Sequence, residues 1–506
     1  MSLLRPTLIV AAASIGARLL GFARDVLFAQ AFGTGPVADA FLAAYRFLDV
    51  VRRVVGEGGL NPALVPLLIP LRRDEAARFT GAALAAAGLA LLAVTAIVEL
   101  TAGLFIAALA PGLAVEGGAL GLAALYTRLS WPLAAGIVLA SVVGAALNAG
   151  GRFAAAALAP LTTGVLTVTA LLILRGTDLA PADRAAWLAA ALGLAGALQL
   201  AIVVAAARRH DLLRWSSPFR SVALRRFGLT GPVLIAASGA PHLFIVAGTQ
   251  VASFWPSGVS RLFYADRVAY LVSALVAAIV GAVLLPALSQ HHRAGRRETL
   301  VSVQNRAMEL ALLVSVPAAT ALAALAPSIT QVLFQRGAFD AADTQATAEV
   351  LIGLAVGVPV TTLGKVVAQT VFARGAAREA LAAAAGGLLV TVAGALLLGS
   401  LLGFRGLGLG LSAGALAYLG LLVRFLGRAG LWSLDERLRA RALRIASASG
   451  VMGAALWAAQ RSLGAPQDPS ALAQLCLGGL ALYAAAAWIF GAVRREDLAS
   501  MGGKKV

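Results

Sequence analysis

Long apolar runs, parted by short polar or basic turns, repeat from one end of the chain to the other. Crossing a bilayer takes about 20 apolar residues per helix. On that measure the pattern predicts fourteen spans, at 7–32, 37–70, 80–110, 120–149, 153–174, 185–207, 227–254, 262–289, 307–334, 346–373, 379–400, 406–423, 445–460 and 471–493. The expected fold class is an all-α polytopic membrane protein. Interruptions of the pattern say more than the pattern does. Eight basic side chains fall inside predicted spans: Arg18 and Arg24 in the first, Arg46, Arg52 and Arg53 in the second, then Arg128, Arg267 and Lys365. A cation at the bilayer centre costs roughly 2.5–3.5 kcal/mol on insertion scales. Lipid-facing positions select against it, so these side chains are expected to line a watery cavity. Arginine there suits an anionic ligand, phosphate above all, because the planar guanidinium fork donates two hydrogen bonds at once.

Composition narrows the class further. The 506 residues are 60% hydrophobic and 13% charged, against about 25% charged in soluble proteins. A net charge of +18 would suit nucleic acid, but it sits in short loops between apolar runs and no nucleic-acid-binding motif accompanies it. Its placement sets orientation instead. With a cytoplasmic N-terminus, cytoplasmic segments hold 27 of the 41 Lys+Arg, the opposite loops six and the spans eight. The positive-inside rule then puts both termini in the cytoplasm. Arg5 and the apolar run from Leu8 to Ala17 resemble a signal peptide; the run continues through Leu19-Leu20-Gly21-Phe22, so it is taken as a retained first span. The single Cys476 leaves no internal disulfide to form and is expected to be a buried apolar filler. His291 and His292 adjoin without the carboxylate or Cys company of a metal site, so neither metal nor cofactor is expected. Trp131, Trp187, Trp255 and Trp488 fall near predicted span ends, as aromatic belts require.

An internal echo divides the chain. Phe41-Leu42-Ala43-Ala44-Tyr45-Arg46 in the second span corresponds to Leu262-Phe263-Tyr264-Ala265-Asp266-Arg267 in the eighth, and Val65-Pro66 to Leu285-Pro286 at a similar offset. Pro132 with Arg152 likewise corresponds to Pro359 with Arg374 and Arg378. A six-span shift preserves orientation, so the echo predicts a parallel repeat about an axis along the membrane normal. Two pseudo-symmetric six-helix lobes around a central cavity are expected, at 1–220 and 221–430, with two C-terminal helices in 431–506.

Charges in the first two spans form the candidate site. Arg18 and Asp25 are seven apart and share a helical face, and Asp25 can partly neutralise either Arg18 or Arg24. Asp39 and Arg46 repeat that spacing, and Arg46, Asp49, Arg53 and Glu57 follow as a ladder down one face, with Arg52 off it. A network of these four satisfying one another is as good an account as a ligand site. Gly56-Glu57-Gly58-Gly59-Leu60-Asn61-Pro62 must bend or break the second helix. Broken helices at membrane depth are tolerated where they line protein or water. Glu99, Glu309 and Glu349 lie near span ends or in helices lacking a counter-charge in sequence, and stand as candidate proton or cation sites, as acids snorkelling to the interface, or as neutral buried acids.

The motifs Arg18-x-x-Gly21-Phe22-Ala23-Arg24-Asp25, Phe32-Gly33-Thr34-Gly35, Ala38-Asp39-Ala40-Phe41, Arg52-Arg53-x-x-x-Glu57-Gly58 and Tyr264-Ala265-Asp266-Arg267 resemble those of the MurJ (MviN) family of the MOP exporter superfamily. So do Leu147-Asn148-x-x-x-Arg152-Phe153, Leu284-Leu285-Pro286 and Leu333-Phe334-x-x-Gly337-x-Phe339. The resemblance implies fourteen helices in two lobes and flipping of lipid II, the lipid-linked peptidoglycan precursor, across the bacterial inner membrane, without enzymatic chemistry. It implies that Arg18, Arg24, Arg52 and Arg267 bind the diphosphate head group, and that Asp25, Asp39 and Glu57 serve gating. Arg46, Arg53, Asp266 and Lys365 join them as gating or ion-pair candidates. The last two helices would take the polyprenyl tail. Implied partners are lipid II or a similar polyprenyl-diphosphate glycan, membrane lipids and the cell-wall synthesis machinery.

Departures from the family pattern are specific. Phe47-Leu48-Asp49 stands where many members have Leu-Pro-Asn, and Pro160 alone remains of the prolines after Phe153. The seventh span has no acid, and Glu379 is the one near the eleventh, which argues against the sodium site of some members. Alternatives are a flippase for another polyprenyl-diphosphate glycan and a non-transporting envelope-assembly paralogue. An exporter of cationic drugs would favour an acidic cavity. A membrane glycosyltransferase or ligase would need paired carboxylates, and the outer loops offer Asp178/Asp183 and Asp340/Asp343 alone.

Overall fold

The computed structural model describes residues 4–54, 60–115, 118–217, 239–273, 297–464, 466 and 468–493. Glu57, His291, His292 and the Leu284-Leu285-Pro286 segment lie outside the described residues. All regular structure among the described residues is helical. Residues 1–260 with 336–339 form one compact unit, and 261–335 with 340–506 form a second.

In the first unit the helices are α1 (Leu4–Phe32), α2 (Pro36–Val51), α3 (Leu60–Leu68), α4 (Arg73–Leu109), α5 (Ala119–Ala149), α6 (Phe153–Leu158), α7 (Leu161–Leu174), α8 (Pro181–Arg209) and α9 (Leu243–Ala252). Helix α10 runs over 258–273. The second unit then holds α11 (Arg297–Phe334), α12 (Ala341–Ala373), α13 (Ala377–Arg428), α14 (Glu436–Leu463) and α15 (Pro469–Ile489). Nine helices among the described residues are long and apolar enough to cross a membrane. Helix α1, at 29 residues, has the length as well.

Helix α2 runs to Val51 and a wider π-helical turn follows at 52–54; α3 is described from Leu60, and the glycines of the predicted break lie at 55–59, outside the described residues. Helix α13 carries two predicted spans in one element of 52 residues. At Gly403 the backbone takes φ 60° and ψ −139°, a conformation open to glycine, and the chain folds back. A Cβ on Gly410 would meet the Ala395 backbone at 2.2 Å, and one on Gly406 the Leu398 carbonyl at 1.8 Å. The two arms therefore pack backbone to backbone, as small residues permit in membrane helices.

Within the first unit, α5 packs against α2, α3, α4 and α8. Gly136 of α5 and Gly196 of α8 meet so closely that a Cβ on Gly136 would lie 2.3 Å from the Gly196 carbonyl oxygen. Within the second, Gly353 of α12 lies against Gly408 of α13, with Cβ clearances of 2.8–2.9 Å to the other's Cα. Spans four and six thus meet through a close glycine contact, as spans ten and twelve do.

Two prolines in α11 fix the C-terminal helices. Pro317 leaves the carbonyl four residues earlier without its helical donor, and the Tyr483 hydroxyl of α15 donates to that Leu313 oxygen at 2.8 Å. Near Pro327, Gln460 of α14 donates to the Ala324 carbonyl at 2.8 Å and accepts from the Ser328 hydroxyl at 2.9 Å. Tyr483→Phe is expected to destabilise by about 0.5–1.5 kcal/mol, the net value of one such bond, read as a small drop in the melting temperature of the detergent-solubilised protein. Helix α15 is capped by Asp468, whose carboxylate the Ser470 hydroxyl and the Ala471 N–H hold below the usual carboxylate range. That capping contribution is present at neutral pH and fades as pH falls through the depressed value.

Two expectations are corrected. Trp131 is not an interfacial belt residue: it is 3% exposed, donates to the Thr95 hydroxyl at 2.7 Å and stacks on Phe47. Cys476 is exposed rather than buried, because its face of α15 carries the outward Leu477 and Leu480.

Candidate functional site

The α1–α2 pair is set in register by rings. Phe28 stacks on Phe41 at 4.9 Å. One turn away, Arg24 of α1 reaches Tyr45 of α2, with Nη1 donating to the phenol oxygen at 2.7 Å and the guanidinium 4.6 Å above the ring. Arg24 also donates from Nε and Nη2 to Asp25 Oδ1 at 3.0 and 2.6 Å. Arg24 is therefore oriented from two sides. Of the two arginines open to it, Asp25 pairs with Arg24, the one that also packs on α2. Arg18 is exposed and makes no ion pair among the described residues.

Asp49 organises the second cluster. Its side chain is 1% exposed, with Oδ1 accepting from Arg52 Nη2 and Oδ2 in ion-pair contact with Arg53 Nη2, both at 2.8 Å. Arg52 was expected off the ladder; it joins through Asp49, three residues before it, a spacing at which helical side chains meet. The two guanidiniums differ in access: Arg53 is 4% exposed and Arg52 36%. Arg46 is fully buried. Asp39, also buried, accepts the Ser260 N–H at 2.8 Å and so caps the first turn of α10. Glu57 is not described.

In the second unit α10 presents one stripe of rings and cations. Arg267 lies 4.6 Å over the Phe263 ring, four residues back, and Lys365 of α12 lies 5.7 Å over the Tyr270 ring, three residues on. Positions 263, 267 and 270 share a helical face, so Arg267 and Lys365 are brought to the same side of α10. Asp266 is half-buried beside them.

The acids that seemed alone in sequence all have arginine partners. Glu99 takes Arg128 at 3.7 Å, and Arg128 also donates to the Glu99 carbonyl near the bend at Thr101. This pair is half-exposed beside the outward Leu100 and Leu125, so Arg128 stands apart from the other cations. Glu349 accepts a two-point contact from Arg405 at 2.7 and 3.0 Å. Glu309 on α11 accepts from Arg306 and Arg441 and forms an ion pair with Arg437 at 3.5 Å, while Asp435 also binds Arg306 and caps α14. Glu379 pairs with Arg374 at 3.2 Å. Sequence reasoning also passed over Tyr45, Phe263 and Tyr270. Their signal was present as an aromatic residue beside, four before or three after an intramembrane cation.

Chemically these clusters can hold an anion by guanidinium hydrogen bonds and exchange it against buried carboxylates. A family model described as lipid II flippase MurJ matches residues 28–467. A probable lipid II flippase MurJ of Rhizobium tropici is 33% identical over 451 residues, covering 86% of this chain and 84% of the relative. A lipid II flippase MurJ of Burkholderia cenocepacia is 30% identical over 440 residues, 84% of each chain. Among solved structures, a lipid II flippase MurJ in an inward closed conformation superposes with TM-score 0.77 at 21% identity, covering 96% of this chain and 98% of that one. An inward-facing multidrug transporter of the MATE family, in the MOP superfamily, gives TM-score 0.66 at 17% identity over 82% and 94%. Both share the fold.

Proposed function

The chain belongs to the MurJ family of lipid II flippases, and from that premise we propose that it moves lipid II from the inner to the outer leaflet of the bacterial inner membrane by alternating access. It is a multi-pass membrane protein of a transporter family. The distribution of Lys and Arg supports a cytoplasmic position for both termini. Arg18, Arg24, Arg52 and Arg267 bind the diphosphate head group. Asp25, Asp39, Arg46, Arg53, Glu57, Asp266 and Lys365 form ion pairs that break and reform as access changes. Helices α14 and α15 take the polyprenyl tail, and the product passes to the cell-wall synthesis machinery.

One observation carries the assignment: Asp49 divides itself between a buried arginine and an accessible one. Arg53 anchors the carboxylate. Arg52, a third exposed, extends the cluster toward a ligand. An arriving diphosphate competes with Asp49 for Arg52 and with Asp25 for Arg24. Each exchange swaps a carboxylate hydrogen bond for a phosphate one at small net cost, and the anion's remaining charge lowers the mutual repulsion of the cationic helices. Charge-assisted bonds of this kind are worth about 1.5–3 kcal/mol each.

The test is titration of the purified protein with lipid II and with a polyprenyl diphosphate bearing an unrelated glycan. Lipid II is expected to bind more tightly, and Arg52→Ala to weaken it by roughly ten- to a hundred-fold. Equal affinity for both lipids would turn the assignment to another lipid-linked glycan. Unchanged affinity in Arg52→Ala would remove the site.

A further inference from the structure

We propose that Tyr45, Phe263 and Tyr270 are positioning residues, each presenting a ring face to a cation that meets the anion: Arg24, Arg267 and Lys365, the last acting on the head group beside Arg267 as well as in ion pairing; the inference rests on the diphosphate reading above. Arg24 lies 4.6 Å above Tyr45, Arg267 4.6 Å above Phe263, and Lys365 5.7 Å above Tyr270. These distances fall within the reach of cation–π attraction, about 6 Å to the ring centroid.

The rings are themselves held firmly. Phe263 is 1% exposed and braced edge-on by Tyr264, with centroids 5.8 Å apart. Tyr45 is buried and adds a hydroxyl contact to Arg24 Nη1. Phe263 and Tyr270 flank Arg267 at four and three residues, the spacing that places side chains one above another on a helix. The arrangement spans two helices: Lys365 comes from α12 and Tyr270 from α10.

Ring faces solve a problem that carboxylates alone cannot. A carboxylate fixes a guanidinium but subtracts one whole charge from the field that attracts phosphate. A ring fixes the same group through its quadrupole and adds no charge. A guanidinium lying over a ring also keeps its N–H groups around its rim, where phosphate oxygens can meet them. Aromatic side chains satisfy the hydropathy of a membrane span as well, so the device leaves no polar mark in the sequence.

The experiment titrates purified full-length protein with lipid II, and in parallel with a neutral polyprenol of the same chain length, recording melting temperature for every variant. Tyr270→Leu and Phe263→Leu are expected to raise the Kd for lipid II roughly three- to thirty-fold. Tyr270→Phe, which keeps the ring, is expected to restore binding to within about twofold of the parent on the same scale. Polyprenol binding and melting temperature should stay at parental values, whereas a merely structural role would move both. Should Phe263→Leu fail to fold, the half-buried Tyr270 decides the matter. Parental lipid II binding by Tyr270→Leu, alongside lost binding in Arg267→Ala, would overturn this inference and leave the diphosphate reading standing. Equal losses in Tyr270→Leu and Tyr270→Phe would overturn it too. Parental binding by Arg267→Ala would bring down both.

Discussion

Arg24→Ala is expected to abolish rescue of a strain depleted of its own lipid II flippase. Three groups depend on that side chain: the Asp25 carboxylate, the Tyr45 hydroxyl and the Tyr45 ring. Losing one charge-assisted contact to a diphosphate alone costs about 1.5–3 kcal/mol, or ten- to a hundred-fold in affinity. The same substitution takes the guanidinium from Asp25, which is 4% exposed, and breaking a buried pair costs roughly 3–5 kcal/mol in stability. Loss of function by Arg24→Ala therefore has two sources, and a paired variant separates them. Arg24→Gln with Asp25→Asn removes both charges together, so no uncompensated carboxylate remains. It should be recovered from membranes at near-parental levels and still fail to support growth. Growth of the paired variant at the parental rate would show Arg24 and Asp25 to be a structural pair. Arg24→Lys should fail as well, since one ammonium cannot lie flat on Tyr45 while bonding Asp25 and phosphate.

Glu309→Ala is expected to give the largest loss of stability of any single change in the second unit. The carboxylate is 9% exposed and receives Arg306 and Arg437 together with Arg441, itself 9% exposed. Removing it takes away the carboxylate that three arginines share, while Asp435 still holds Arg306. A broken buried ion pair costs roughly 3–5 kcal/mol, several times the single bond at Tyr483. The arginines come from α11 and α14, so the C-terminal helices should loosen first, seen as early hydrogen exchange over Glu436–Leu463. Glu309→Leu with Arg441→Leu should recover part of the loss, because apolar replacement of both partners strands less charge. A Glu309→Ala protein with parental melting temperature and exchange would show that the cluster carries no net load.

Much of the architecture was legible before any coordinates. Among the described residues the apolar runs gave helices at the expected places, and the turn near Gly403 divides α13 into two arms. Charged positions were legible as positions. Their partners were not. Asp25 chose Arg24 over Arg18, Asp49 gathered Arg52 as well as Arg53, and Glu99, Glu309 and Glu349 all acquired arginines from other helices. The separations are 29, 132 and 56 residues for Arg128–Glu99, Arg441–Glu309 and Arg405–Glu349, far outside the three or four residues over which helix-face reasoning works.

What the sequence determined alone is the helical, membrane-spanning class of this protein, its segment lengths and the points where helices must bend. Hydropathy is a sum over neighbours in the chain, and backbone breaks follow from the residue at the break, so both can be read locally. Tertiary structure alone decided which carboxylate holds which arginine and which rings lie beneath Arg24, Arg267 and Lys365. Those choices turn on a few ångströms between side chains of different helices, a distance set by packing rather than by order along the chain.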